Sequence, residues 1–149
     1  MSVSIPDEVR EFLSHKPEMG KPEQVVPLVT VDSKGFPHAC LLSRAQLDAT
    51  ETEIRAAITS WGTRANIRNN GVALILVTLA ETIHHIKLEV LRAHDQKKVL
   101  LVAFEPVEYK ADTLGIVVEP MTFMAGPWIS SLEHWDETAE MLRSLDLSQ

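Results

Sequence analysis

One cysteine in 149 residues, Cys40, excludes an internal disulfide and fits a reducing compartment. Positive charge is scarce as well: 14 Lys and Arg stand against 21 Asp and Glu, a net charge of −7. General nucleic-acid binding needs a clustered basic surface to neutralise phosphates, so that class is disfavoured. Long apolar runs are missing. The longest, residues 72–80, falls short of the about 20 residues needed to cross a bilayer. The start, "MSVSIPDEVREFL", lacks the basic residues and apolar run of a signal peptide, so a soluble cytoplasmic protein is expected. No Gly-x-Ser-x-Gly elbow occurs, which leaves a Ser-His-Asp hydrolase unsupported. Repeats, low-complexity segments and domain boundaries are also lacking, and the length suits one domain over 1–149 with a real core.

The most local absence is the most informative. From Ile54 to Ala80 there is no Asp or Glu, although three arginines, Arg55, Arg64 and Arg68, stand there. At the centre lies "TSWGTRANIRNNG", residues 59–71.

Around it the pattern is mainly β. Residues 4–14 read as a short helix with Ser4 as cap, acidic Asp7 and Glu8 in the first turn, and Ile5, Val9, Phe12 and Leu13 on one stripe. The Pro/Gly-rich "HKPEMGKPEQ" reads as loop. Runs 25–31 and 36–42 flank turn residues and predict a hairpin. In 53–60, Ile54, Ala56 and Ile58 face one way and Arg55, Ala57 and Thr59 the other. Thr63 is placed to cap a helix through Asn69, with Asn70-Gly71 as its left-handed exit. "VALILVTL" (72–79) predicts a central strand buried on both faces. Strands at 84–93 and 99–109 follow, with "HDQKK" as their turn. "LGIVV" reads as a short strand and "EPMTFMAGPW" as an apolar loop. A final helix, about 131–145, is predicted from a Ser130/Glu133 capping box and the stripe Leu132, Trp135, Ala139, Leu142, Leu145. No helix of 10–15 residues separates successive strands, so an antiparallel barrel is expected over a parallel α/β sheet.

At the joint, a strand ends at Ser60, the chain turns at Gly62 and a helix starts at Thr63. The first-turn N–H groups and the positive end of the helix dipole point outward there. Thr59, Ser60 and Thr63 add hydroxyls, Arg64 adds a planar fork, and Arg55 shares the strand face of Thr59. Together they suit a phosphate monoester, and the missing carboxylates follow, since an acidic side chain would repel it. A second reading stands beside it: Thr63 caps a helix whose arginines simply reach into solvent. Composition does not choose between them.

Gly35-Phe36-Pro37-His38 in the first hairpin, Thr63-Arg64-Ala65-Asn66-Ile67 at the helix start and Val72-Ala73-Leu74 in the next strand occur in this order. In that order and spacing the chain resembles the pyridoxamine-phosphate-oxidase-like family of flavin-binding split barrels, over roughly residues 22–109. The resemblance implies a six-stranded antiparallel split barrel, a homodimer, and FMN at the interface, with an oxidoreductase activity. By the same resemblance Thr63 and Arg64 hold the phosphate together with Thr59 and Ser60, Arg55 is a second phosphate arginine, and backbone from Ala57 to Trp61 lies along the ribityl chain and ring. Some relatives use deazaflavin or haem instead. The Arg-x-x-x-Lys pair of the B6 oxidases is absent, because the fifth residue from Arg55 is Thr59, so the substrate stays open. A flavin carrier or sensor without turnover, or a cofactor-free dimeric interaction protein, are the alternatives of the same fold.

No side chain stands out as a general acid or base. His84 and His85 are adjacent on a strand and point to opposite faces, so they cannot chelate one ion, and no metal site is expected. His38 is read as a turn histidine or a cleft residue, and Cys40 as a small core residue. His94 and Asp95 read as part of a solvated turn. Trp128 is expected to pack on the barrel, with shelter of a partner's flavin as the other role.

Overall fold

The structure is a computed structural model that describes residues 2–146. In chain order it comprises α1 (Asp7–Ser14), β1 (Pro22–Gln24), β2 (Val26–Val31), β3 (Pro37–Leu42), β4 (Leu47–Ala49), β5 (Ile54–Ile58), α2 (Trp61–Asn70), β6 (Val72–Leu79), β7 (Thr82–Gln96), β8 (Val99–Thr113), β9 (Thr122–Met124), α3 (Pro127–Leu132) and α4 (Trp135–Arg143). Seven strands form one antiparallel sheet in the order β3-β2-β6-β7-β8-β5-β4, while β1 pairs with β9 in a separate ribbon. The fold is the expected mainly β split barrel, with the three-residue β4 added at one edge.

The sheet curls because its long central hairpin is irregular. Register shifts at Lys87/Leu88 and Val90/Arg92 bend β7 across β8, as bulges do. On the concave side Leu28, Leu42, Leu47, Ile54, Ile58, Ile75, Ile86, Leu88, Leu100 and Phe104 make the main core. Val9 and Leu13 of α1 enter the same cluster. The split is visible where β2 meets β6, which share only Leu28↔Ile75 and Val29↔Leu74. Beyond that point the Gln24 amide stands in for a strand: it accepts from the Thr78 N–H at 2.8 Å and donates to the Thr78 carbonyl at 2.7 Å.

The first hairpin forms as its turn chemistry dictates. The Asp32 carboxylate accepts from the N–H groups of Lys34 and Phe36, both at 2.9 Å, and Gly35 takes φ 87°. The α1 helix begins later than expected, with Pro6 instead of Ser4 at the cap position. Within "HKPEMGKPEQ" the last residues are a strand, β1, because Thr122–Met124 offers an edge to pair with, a non-local partner that local composition hides. "LGIVV" is not a strand. The β7–β8 turn is tighter than "HDQKK" suggests: β7 runs to Gln96, and Lys97 adopts φ 60° to close it.

Two readings of buried surface are corrected. On β6, Ala73, Ile75 and Val77 are buried, but Val72 is exposed and Leu74 and Leu76 are half-buried, so one face of the strand lies outside the core of the chain. The C-terminal helix is broken in two. His134, at φ 53°, separates α3 from α4, and Glu133 accepts from the Trp135 indole Nε1–H at 2.9 Å instead of completing a capping box. Leu132 is accordingly exposed, while Trp135, Ala139, Leu142 and Leu145 are buried. Among the described residues no helix is long and apolar enough to cross a membrane.

Candidate functional site

The β5–α2 joint starts two residues earlier than the sequence suggested. Ser60 occupies the N-cap position, and the first intrahelical bond runs from the Arg64 N–H to the Ser60 carbonyl at 3.0 Å. Thr63 is therefore the third helical residue and not the cap, and Gly62 lies in the helix and not in a turn. No side chain caps the helix, so the N–H groups of its first turn keep no intrahelical acceptor. Gly71 closes the far end at φ 67°, as expected.

Anchoring fixes where this turn points. The Asn66 Nδ2 donates to the Thr30 Oγ1 at 3.0 Å, the Asn70 Nδ2 to the Val31 carbonyl, and Ile67 enters the core. These contacts lay α2 across the ends of β2 and β3. His38 and Cys40, on alternate positions of β3, share one strand face. An added Cβ on Gly62 would stand 3.2 Å from His38 Cε1 and 3.4 Å from its Nε2. Burial raises the Cys40 thiol above its ordinary pKa, and an interaction with Thr63 opposes that rise.

Two polar atoms at the joint are left over. Thr63 is fully buried and its Oγ1 has no hydrogen-bond partner of ordinary geometry, the Cys40 sulfur beside it being only a weak acceptor. Arg64 Nε is likewise buried without a partner. Buried polar atoms are nearly always satisfied, so two such atoms on consecutive residues need a reason. The arginines of the carboxylate-free stretch sort the same way. Arg68 pairs with Asp95, and Arg55 pairs with Glu53 at 3.0 Å. Arg64 has no acidic partner among the described residues.

Arg55 is held by groups of the chain itself. It is 4% exposed on the face of β5 beneath α4, where its Nε binds Glu53 and its Nη1 donates to the Leu142 carbonyl at 3.4 Å. The carboxylate comes from just outside the acid-free stretch, so composition could not reveal it. Thr59 is exposed and Trp61 is 79% exposed, both flanking the joint. Thr59 also stands in the wall of a cleft of about 1020 Å³ between β5, the β7–β8 turn and α4, with Ala57, Lys97, Lys98, His134 and Met141.

The remaining candidates separate as the strand geometry requires. His84 is buried and its Nδ1 lies 2.7 Å from the Tyr109 hydroxyl, while His85 pairs with Asp112 on the other face. Trp128 does not pack on the barrel: it is 75% exposed at the start of α3. The sequence reading missed the approach of His38 to Gly62, although the i, i+2 alternation of His38 and Cys40 was its signal.

No protein-family profile and no curated protein matches the sequence. Solved structures do match the fold. An F420 reductase aligns with TM-score 0.54 and 13% identity over 71% of this chain and 98% of its own. The styrene monooxygenase flavin reductase of Pseudomonas putida S12 aligns with TM-score 0.55 and 9% identity, over 70% and 88%. The Group A Streptococcus protein HupZ aligns with TM-score 0.57 and 14% identity, over 77% and 99%. The chain thus shares a split-barrel architecture with these structures. The shared feature is the fold.

Proposed function

We propose that this protein is a homodimeric oxidoreductase that holds FMN, with the flavin phosphate at the start of α2. The observation that carries the reading is the pair of orphaned buried atoms, Thr63 Oγ1 and Arg64 Nε, beside an uncapped helix N-terminus. A phosphate monoester supplies acceptors for all of these groups at once, and the helix dipole favours its charge. Thr59, Ser60 and Trp61 flank the same turn and would line the path of the ribityl chain and ring. Arg55 braces the neighbouring wall through Glu53 and α4. The bound flavin would supply the hydride or electron transfer, and the chain binding, orientation and shelter from water.

The outer sheet face favours a second copy. Val72 and Leu41 are exposed and Val29, Leu74 and Leu76 half-buried on adjoining strands, an apolar surface of the kind that marks interfaces. The deciding experiment releases the small molecule from freshly purified protein and measures its mass, alongside the visible spectrum. FMN, with a flavin band near ~450 nm, supports the reading. A deazaflavin or haem would keep the fold and replace the cofactor. Protein purified without any such molecule, and unable to take up added FMN, would leave a cofactor-free interaction protein.

A further inference from the structure

Gly62 has no conformational reason to be glycine. It sits within the first turn of α2 at an ordinary helical position, where glycine costs up to about 1 kcal/mol relative to alanine. What its missing side chain leaves is room for His38. The imidazole packs tightly against the place a Cβ would take, Cε1 at 3.2 Å, Nε2 at 3.4 Å and Nδ1 at 3.9 Å from it, so the Nε2 edge of the ring faces the helix start. The His38 ring is half-buried and makes no hydrogen bond among the described residues. The hydroxyl of Thr30, its cross-strand neighbour, is taken by Asn66. The next residues along the helix, Thr63 and Arg64, carry the two orphaned atoms. A half-buried imidazole, a buried hydroxyl whose one neighbour is the weakly accepting Cys40 sulfur, and a guanidinium edge thus gather at one helical turn.

We propose that His38 is a direct phosphate contact, its Nε2–H donating to the ligand anion beside Arg64, with Gly62 kept free of a side chain to admit the ring. The proposal rests on the phosphate site assigned above. It makes β3, and not only the β5–α2 joint, part of that site. It also explains why a histidine occupies a strand face where burial otherwise selects apolar residues such as Leu42.

The test compares two probes that differ only in the phosphate, FMN and riboflavin, by quenching of flavin fluorescence on titration with protein. His38→Ala is expected to weaken FMN about tenfold, the range of one lost charge-assisted hydrogen bond, and to leave riboflavin within about twofold. Gly62→Ala displaces the ring, so it should weaken FMN in the wild-type background and add little to His38→Ala, as coupled positions do. Thermal melts check folding, and His38→Gln and His38→Asn carry the same FMN-to-riboflavin ratio should the alanine variant not fold. If the wild type binds both probes equally, the phosphate site itself falls. If the wild type prefers FMN and Arg64→Ala abolishes that preference while His38→Ala leaves it intact, only the role of His38 falls. Equal losses of FMN and riboflavin in His38→Ala also overturn it, since they mark a packing role.

Discussion

Arg92 grips Glu53 with both ends of its guanidinium, Nη1 to Oε1 at 2.8 Å and Nη2 to Oε2 at 3.0 Å, while Arg55 Nε reaches the same carboxylate at 3.0 Å. The two arginines also donate to carbonyls at and just beyond the C-terminal end of α4, Arg55 to Leu142 and Arg92 to Leu145, each at 3.4 Å. Cations at a helix C-terminus oppose its partial negative charge. Glu53 is thus the hinge-pin between the sheet and α4.

Removing that carboxylate should loosen α4 before it loosens the barrel. Glu53→Gln is expected to lower stability by about 2–3 kcal/mol, the range for lost hydrogen bonds to charged groups, as read by chemical denaturation. Burial alone would push Glu53 up in pKa, but hydrogen bonds from Arg92 and Arg55 outweigh it and hold the carboxyl below its ordinary value. A lowered folded-state pKa contributes stability present above the unfolded value of about 4.3 and lost as pH falls through the folded one. Wild type should therefore lose stability more steeply than Glu53→Gln below about pH 4. Parallel acid titrations of the two would contradict the role given to Glu53.

Arg64 is set apart from Arg55 and Arg68 by lacking an acidic partner, so its removal should act on the ligand more than on the fold. Arg64→Ala is expected to weaken FMN by about tenfold to a hundredfold, with a melting temperature within a few degrees of wild type. Undiminished FMN retention in this variant would leave the phosphate site without support.

How much of this was legible beforehand depends on how local the cause is. The β2–β3 turn, the faces of β5 and the Gly71 exit follow from neighbouring residues, and each stands where the sequence put it. The β1–β9 ribbon joins positions about a hundred residues apart, so neither half carried a signal. The broken C-terminal helix has a similar cause. Ser130 and Glu133 satisfy a capping pattern, yet tertiary packing of Trp135 against Phe123 and Ala125 decides the boundary. At the site, hydroxyls and Arg64 could be read from order and charge, but the partners of Arg55 and the approach of His38 to Gly62 are products of the sheet.

His84 offers a pH test at the opposite side of the barrel wall. Its ring is stacked on Tyr109, with centroids 5.8 Å apart, and its buried Nε2 has no hydrogen-bond partner, the Glu8 carboxylate lying 3.8 Å away. Burial holds its pKa below the ordinary histidine value, with Glu8 opposing. The folded state therefore binds the proton less readily than the unfolded one. The stability His84 contributes is complete above about pH 6.5 and falls as pH drops through that value. Thermal melts should decline as pH falls below about 6.5 in wild type and decline less in His84→Gln. Tyr109→Phe removes the 2.7 Å hydrogen bond and should cost about 1 kcal/mol near neutral pH.

The outer sheet face supplies the last expectation. Leu41 is 58% exposed on β3, and its cross-strand partner Pro27 leads through Val29 to Leu74 on β6. A charge placed there stays solvated in a lone chain and is desolvated only if a second copy covers it, which costs several kcal/mol for an unpaired ion. Leu41→Glu should therefore leave the melting temperature of a monomer unchanged while shifting the mass measured by light scattering from twice the chain to once. Glu11→Lys, at an exposed position of α1, the helix packed on the inner side of the sheet, is the control and should not shift it. If the cofactor is shared across the twofold, Leu41→Glu should also release FMN on dilution, in step with dissociation. A wild type that runs as a monomer at micromolar concentration would remove the dimer, and a Leu41→Glu dimer would move its interface elsewhere; either leaves the apolar face without an occupant.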